Sequence, residues 1–262
     1  MRYSIRHETR CHFDSQASYS IRQLRITPRE EAGIKVRRWN IDTPARSKCS
    51  VDAWGNTTHL LSLTEPHESV RIVVNGEVEL PAQGQALIGA DKHLLPLPVY
   101  LTSTSLTQTS TELSALAQHH LGRTPQHIDD VLALLQALRA RLRPAPAAGG
   151  SLRGAADSFT GQTATPPDQV HVLLAACRAV RLPARFVSGY QLGERVREYT
   201  WADIWLEAAG GWVCFDVRRA ELATAPQIRL AVGRDYLDAC PMRSMHQGGG
   251  QEEVRVSVRA VQ

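Results

Sequence analysis

Little in this 262-residue sequence points to a membrane, a nucleic acid or a metal. No apolar run approaches the roughly 18 residues that a transmembrane helix needs. The opening Met1-Arg2-Tyr3-Ser4-Ile5-Arg6-His7 holds no apolar stretch of the secretory kind, so no signal is expected. Lysine is scarce, with only Lys35, Lys48 and Lys92, and the remaining basic residues are scattered arginines. Against 30 basic residues stand 26 acidic ones, a net charge of +4. Without a basic run or interleaved aromatics, no nucleic-acid partner is expected. The five cysteines (Cys11, Cys49, Cys177, Cys214, Cys240) are odd in number, widely spaced and form no Cys-x-x-Cys pair. That pattern argues against a disulfide framework or a structural zinc site and for reduced thiols in a bacterial-type cytoplasm. His119, His120 and His127 match no metal-ligand spacing. Gly248-Gly249-Gly250 lacks the strand-loop-helix setting and the Lys-Ser/Thr of a phosphate loop, and reads as a turn before the last strand. No cofactor, metal or membrane partner is expected.

What is present is globular: 43% apolar and 21% charged residues, enough chain for a sizeable core. Residues 3–9, 19–26, 34–39, 48–54, 57–63 and 70–80 have strand-like patterning, the last interrupted by the hairpin signal Asn75-Gly76. Trp54-Gly55-Asn56 reads as another turn. Short strands at this spacing suggest an antiparallel sandwich or barrel over residues 1–98.

From about residue 100 the period becomes helical. Residues 109–120 can form a helix. Thr124-Pro125 reads as a cap and first turn, followed by the apolar face of Val131, Leu132, Leu134, Leu135 and Leu138. Residues 144–150 read as a loop, so 99–150 form a helical connecting segment. In the last part, 151–262, Thr165-Pro166-Pro167-Asp168 starts a buried helix, with Thr165 as N-cap and Asp168 as its capping-box partner. Strands are expected at 184–190, 199–206, 211–216 and 253–261.

Four segments of this last part carry a family likeness: Asp168-Gln169-Val170-His171 running into Leu173-Leu174-Ala175-Ala176-Cys177-Arg178-Ala179; Leu182-Pro183-Ala184-Arg185-Phe186-Val187-Ser188-Gly189-Tyr190; Trp201-Ala202-Asp203-Ile204-Trp205 followed by Gly211-Trp212-Val213-Cys214-Phe215-Asp216; and Ile228-Arg229-Leu230-Ala231-Val232-Gly233-Arg234-Asp235-Tyr236. Together they resemble the bacterial transglutaminase-like family. The first hundred residues, with Asp52-Ala53-Trp54-Gly55-Asn56 and Glu65-Pro66-His67, resemble the β-rich domain that precedes its core. The resemblance implies an α+β protein: an N-terminal antiparallel β sandwich or barrel, then a papain-like transglutaminase core.

It also implies a Cys-His-Asp triad, in which cysteine attacks a carboxamide, histidine handles the protons and aspartate orients the imidazole. The family's cysteine stands two residues before Asp168, where this chain has Pro166. Its histidine stands two residues before Trp201, where this chain has Tyr199. The third member aligns with Asp216. Proline offers no nucleophile, and tyrosine, with an ordinary pKa of about 10, is a poor base near pH 7. The leading expectation is a catalytically inactive protein whose former active-site cleft binds a peptide or protein partner. Family context suggests a ligase or another transglutaminase-like protein as that partner, in an assembly that forms peptide or amide bonds.

The alternative is a thiol-dependent amidase, peptidase or acyltransferase with a relocated nucleophile. Cys214 shares strand parity with Asp216 and is the foremost candidate. His171 is the candidate base, set against the reading of a structural histidine. Asp168, His171, Trp201 and Cys214 are the possible cleft or binding residues, with a packing role for Trp201 and a helix-capping role for Asp168 as competing readings. Cys177 reads as a small core residue.

Overall fold

In the computed structural model, residues 1–81, 84–90, 95–146, 152–193 and 196–261 are described. The elements are β1 (Arg2–Leu24), β2 (Lys35–Asp42), β3 (Lys48–Val51), β4 (Thr57–Leu63), β5 (His67–Glu79) and β6 (Leu87–Gly89). They continue as α1 (Thr111–Leu121), α2 (Ile128–Arg141), β7 (Arg143–Pro144), α3 (Ala155–Thr160), β8 (Thr163–Ala164) and α4 (Pro166–Ala179). The chain closes with β9 (Ala184–Gln191), β10 (Arg197–Leu206), β11 (Gly211–Asp216), β12 (Glu221–Leu222), β13 (Gln227–Gly233), α5 (Tyr236–Ala239), β14 (Met242–Gly248) and β15 (Glu252–Val261).

Polar and apolar residues alternate through β1, and Ile5, His7, Thr9, Cys11 and Phe13 are buried along one face. The two strands expected at 3–9 and 19–26 are the ends of this one strand. On one side β1 is antiparallel to β5 and then to β4; on the other it is antiparallel to β15 and then to β14. Phe13 faces Glu252 and Ala17 faces Gly248, so the register carries through from one partner to the other. β14 and β15 are therefore one bent partner strand rather than a hairpin. Gly248, Gly249 and Gly250, at φ +75°, +85° and +68°, make the bend. Gly249 still exchanges backbone hydrogen bonds with Gln16 and Ser15 at 3.2 and 3.1 Å. Consecutive positive-φ residues kink a strand without ending its pairing, and only glycine adopts them at no steric cost. The expected turn is thus a bulge.

The bent sheet folds over Cys11, Phe13, Leu24, Leu61, Val70 and Ile72. Its strand order is β2-β5-β1-β4-β3, with β14 and β15 on the far side of β1. Residues 242–261, grouped with the core by sequence, complete the N-terminal sheet.

The hairpin expected at Asn75-Gly76 is also absent, because β5 runs through it. Gly76 serves a close approach instead: a Cβ there would lie 2.0 Å from Trp39 Cε3. Trp39 covers the strand and donates its indole N–H to the Ile26 carbonyl at 2.9 Å.

In the core, the sheet β12-β11-β10-β9-β13 is antiparallel, with β6 added at β11. Ala184, Phe186, Ala202, Ile204, Val213 and Phe215 pack on one face against the buried α4, with α1, α2 and α3 around it. The opposite face carries Val187, Tyr199, Trp201 and Cys214. α4 starts as expected, at Pro166 behind the Thr165–Asp168 capping box. α2 starts three residues later than expected after Thr124-Pro125, because His127 and Asp130 form the capping box; Asp130 accepts from the His127 N–H at 2.8 Å. Of the loop expected at 144–150, Pro144 pairs with Ala164 in a short parallel bridge, and 147–150 lie outside the described residues.

The two sheets share buried polar contacts. Arg229 donates to Glu31 at 2.6 Å and to Asp203 Oδ1 at 3.1 Å, and Arg185 donates to Asp203 at 2.8 Å. The Asn56 side chain donates to the Val232 carbonyl at 2.8 Å and accepts from its N–H at 2.9 Å. Asp52 organises the turn that aims it, accepting from the N–H groups of Trp54 and Asn56 at 3.0 and 2.9 Å.

Replacing Gly76 with alanine should displace Trp39 and cost about 1–3 kcal/mol in urea unfolding. In a Trp39→Leu background the same substitution should cost distinctly less, since the clash is with that ring.

Candidate functional site

The N-terminus of α4 is held by Asp168. Its carboxylate accepts from Thr165 Oγ1 at 2.6 Å, the Thr165 N–H at 3.2 Å and the Arg153 N–H at 3.1 Å. This satisfies groups that a helix start leaves open, and places negative charge at the positive end of the dipole. Pro166 and Pro167 occupy the first turn, where a missing N–H is harmless.

Pro166 and Tyr199 line the same cleft, of about 240 Å³. Across β10 and β11, Tyr199 Oη reaches both oxygens of Asp216, at 2.8 and 3.0 Å, and donates its proton to that carboxylate. The Arg219 N–H donates to Asp216 Oδ1 at 3.1 Å, and the Arg219 guanidinium lies 3.9 Å from Oδ2. Burial pushes Asp216 above the usual carboxylate range, against the pull of Tyr199 and Arg219. Burial, reinforced by the Asp216 charge, also raises the Tyr199 phenol, which makes it a donor rather than a base. The structure therefore brings together the three positions that the resemblance assigned to the triad: a proline, a protonated phenol and a carboxylate.

The other four candidates are buried and do not line this cleft. Asp168, His171 and Cys214 are 0% exposed and Trp201 is 1%. His171 Nε2 accepts from the Tyr236 N–H at 3.1 Å, so the neutral ring carries its proton on Nδ1, 3.9 Å from Asp168. Burial lowers its pKa to about 4. A neutral ring tying α4 to α5 is the structural histidine of the competing reading. Trp201 stacks obliquely on Tyr199, ring centres 5.1 Å apart, and helps fill the space behind it.

Cys214 lies on the Tyr199 face of the sheet, as strand parity predicts, but within the buried ionic cluster. Arg229 is 3.3 Å from its sulfur. Burial, and then Asp203, raise its thiol well above the ordinary value. Burial likewise pushes Cys11 and Cys177 up to about 12 and Cys240 to about 11. Cys49 is exposed. The four buried environments disfavour a thiolate, the form that attacks.

The rest of the cleft was not read from the sequence. Val170 and Tyr236 supply apolar surface, Ser188 and Thr200 hydroxyls, and Glu198 and Arg218 opposite charges. They come from several elements, with Glu198 and Thr200 sharing β10, and no single spacing joins them. The buried Asp203 did leave a signal: a carboxylate within Trp201-Ala202-Asp203-Ile204-Trp205 demands a buried cation. Among the described residues, no cluster of three His, Cys, Asp or Glu side chains could hold a metal, and no helix is long and apolar enough to cross a membrane.

Comparisons with known proteins accord with this architecture. Residues 3–79 match the bacterial transglutaminase-like N-terminal region, and residues 114–217 match the transglutaminase-like superfamily. An uncharacterized protein of Mycobacterium leprae is 26% identical, over 98% of this chain and 97% of its own. One of Mycobacterium tuberculosis is 23% identical, over 93% of this chain and 87% of its own. A candidate cysteine protease from Cytophaga hutchinsonii superposes with a TM-score of 0.78 and 18% identity, over 100% of this chain and 90% of that one. That likeness shows the fold alone.

Two outcomes follow. Under limiting iodoacetamide at pH 7, mass spectrometry should find Cys49 labelled and the four buried thiols protected. Tyr199→Phe should cost about 2 kcal/mol at pH 7, where a buried carboxylate loses its donor. Because the folded pKa of Asp216 is raised, the charged carboxylate weighs against the fold as pH rises through that value. The Tyr199→Phe deficit in urea unfolding should therefore shrink as pH falls and Asp216 protonates.

Proposed function

We propose, from the premise that this chain belongs to the transglutaminase-like superfamily with a bacterial transglutaminase-like N-terminal region before its core, that it is a non-catalytic member acting as a binding or accessory subunit. Its cleft takes a peptide or protein segment. The reading extends to an assembly that forms peptide or amide bonds, with a ligase or a second transglutaminase-like protein as partner, in the reducing cytoplasm that suits five unpaired thiols.

The observation that carries the reading is the Tyr199–Asp216 pair. In a working triad the carboxylate would orient an imidazole. Here it is occupied by a phenol that holds its own proton, and Pro166 stands where the thiol would be expected. An acyl transfer at this place would lack both the attacking atom and the base that activates it. What remains is a recess with apolar walls from Pro166, Pro167 and Val170, hydroxyls from Ser188 and Thr200, and the charges of Glu198 and Arg218. Such a recess is suited to an extended segment carrying both apolar and polar side chains.

The test has two arms. Wild-type protein with a glutamine-containing peptide and a primary amine should release no ammonia above the buffer rate. Turnover abolished by Cys214→Ser would replace this reading with the thiol enzyme. In the second arm, Pro166→Cys combined with Tyr199→His should give an introduced thiol that alkylates well below pH 8.5, and measurable ammonia release. An unreactive thiol in a variant that still folds would show that this cleft does not have the triad geometry.

A further inference from the structure

β15 pairs with β1 along one side, and among the described residues no strand pairs with its other edge. Its inward row is Val254, Val256, Val258 and Ala260, opposite Cys11, Thr9, His7 and Ile5 of β1. Those β1 residues are at most 5% exposed. On the other flank of β1 the same row continues into Val70, Ile72 and Val74, all 1% exposed or less. On the β15 flank, Val254 and Val256 are 43% and 42% exposed. One apolar layer is thus sealed on its β5 side and open on its β15 side.

A long edge is normally protected by proline, a bulge or an inward-pointing charge. The stretch 253–261 has none of these. The nearest inward charge, Glu252, is engaged 2.6 Å from Arg22 at the start of the strand. The outward row is Glu253, Arg255, Ser257 and Arg259, and it is complementary to itself. If a second copy is laid antiparallel about Val256, each Val256 meets its counterpart and Val254 meets Val258. Glu253 then meets Arg259. Glu253 already holds Arg255 at 2.9 and 3.1 Å on that face, so it would bridge two arginines.

We propose that β15 is a dimerisation strand. Two copies of this chain join edge to edge, antiparallel, about a twofold axis at Val256, and the valine row of each covers the other. A second copy is the occupant that the charge order fits, because the strand read antiparallel against itself sets Glu253 opposite Arg259 twice. The contact lies outside the cleft and does not depend on the function proposed for it.

Light scattering after size exclusion, with a dilution series by analytical ultracentrifugation on the full chain, should give a mass of twice 28.9 kDa that falls on dilution. Glu253→Arg would set arginine against Arg259 twice per dimer, and should weaken association by about tenfold or more. Adding Arg259→Glu should restore it. Val256→Asp would place two carboxylates at the axis and should give monomer. All three side chains are substantially exposed, so circular dichroism and thermal unfolding should show the fold intact. A monomer at every concentration would overturn the proposal. So would a dimer indifferent to both Glu253→Arg and Val256→Asp, or one that the double charge exchange fails to restore.

Discussion

Arg229 is 0% exposed and lies between carboxylates from opposite halves of the chain. Glu31 comes from the loop after the first strand, and Asp203 from the middle of the core sheet. Burial alone would push both acids toward neutrality, but the arginines outweigh it and hold both below the usual carboxylate range. Such a cluster adds little net stability over a well-packed apolar one, yet removing one member strands a buried charge at a cost of about 3–5 kcal/mol. The N-terminal sheet and the core are therefore not separable modules. The Asn56 pairing with Val232 and the hydrogen bond between Tyr190 and His7, at 2.5 Å, extend the same junction. Beneath it lies the Tyr199–Trp201–Cys214 face of the sheet, so the junction that joins the halves also walls in the would-be nucleophile Cys214.

The parts of this architecture written in local sequence were legible. The capping box Thr165–Asp168, the buried helix behind it and the strand 211–216 depend on neighbouring residues and on period, and they stand where expected. Tyr199 and Asp216 fall in two of the expected strands, 199–206 and 211–216, and the structure joins them by a hydrogen bond. The start of α2 was misplaced by a local competition between two caps, but the misread turns and the misassigned sheet strands share another cause: their reasons lie far away in the chain. Asn75-Gly76 has the composition of a turn, but its glycine answers to Trp39 on the neighbouring strand. Gly248-Gly249-Gly250 likewise reads as a turn, yet its neighbour is the bend in β1, more than two hundred residues earlier. The same holds for residues 242–261, whose pairing with β1 no local pattern announces, and for the cleft side chains gathered from several elements.

Asp216 has a reason to be aspartate that does not involve catalysis. It accepts the Arg219 N–H and so organises the turn after β11. A carboxylate 2% exposed still needs further donors, and a phenol at position 199 supplies one to both oxygens. Phenylalanine there would keep the packing against Trp201 but leave the charge under-satisfied. At position 166 the demand is different: the first turn of a helix needs no side-chain donor and no N–H, and proline meets it while fixing the backbone angle. Each of the two residues therefore suits its local physics without reference to a thiol or an imidazole. The cleft persists because it is bounded by α4, β9 and β10, whose positions are set by the buried core and the ionic junction. Chemistry at positions 166 and 199 is thus separable from the fold, and that separation is the physical basis of the non-catalytic reading proposed for the cleft.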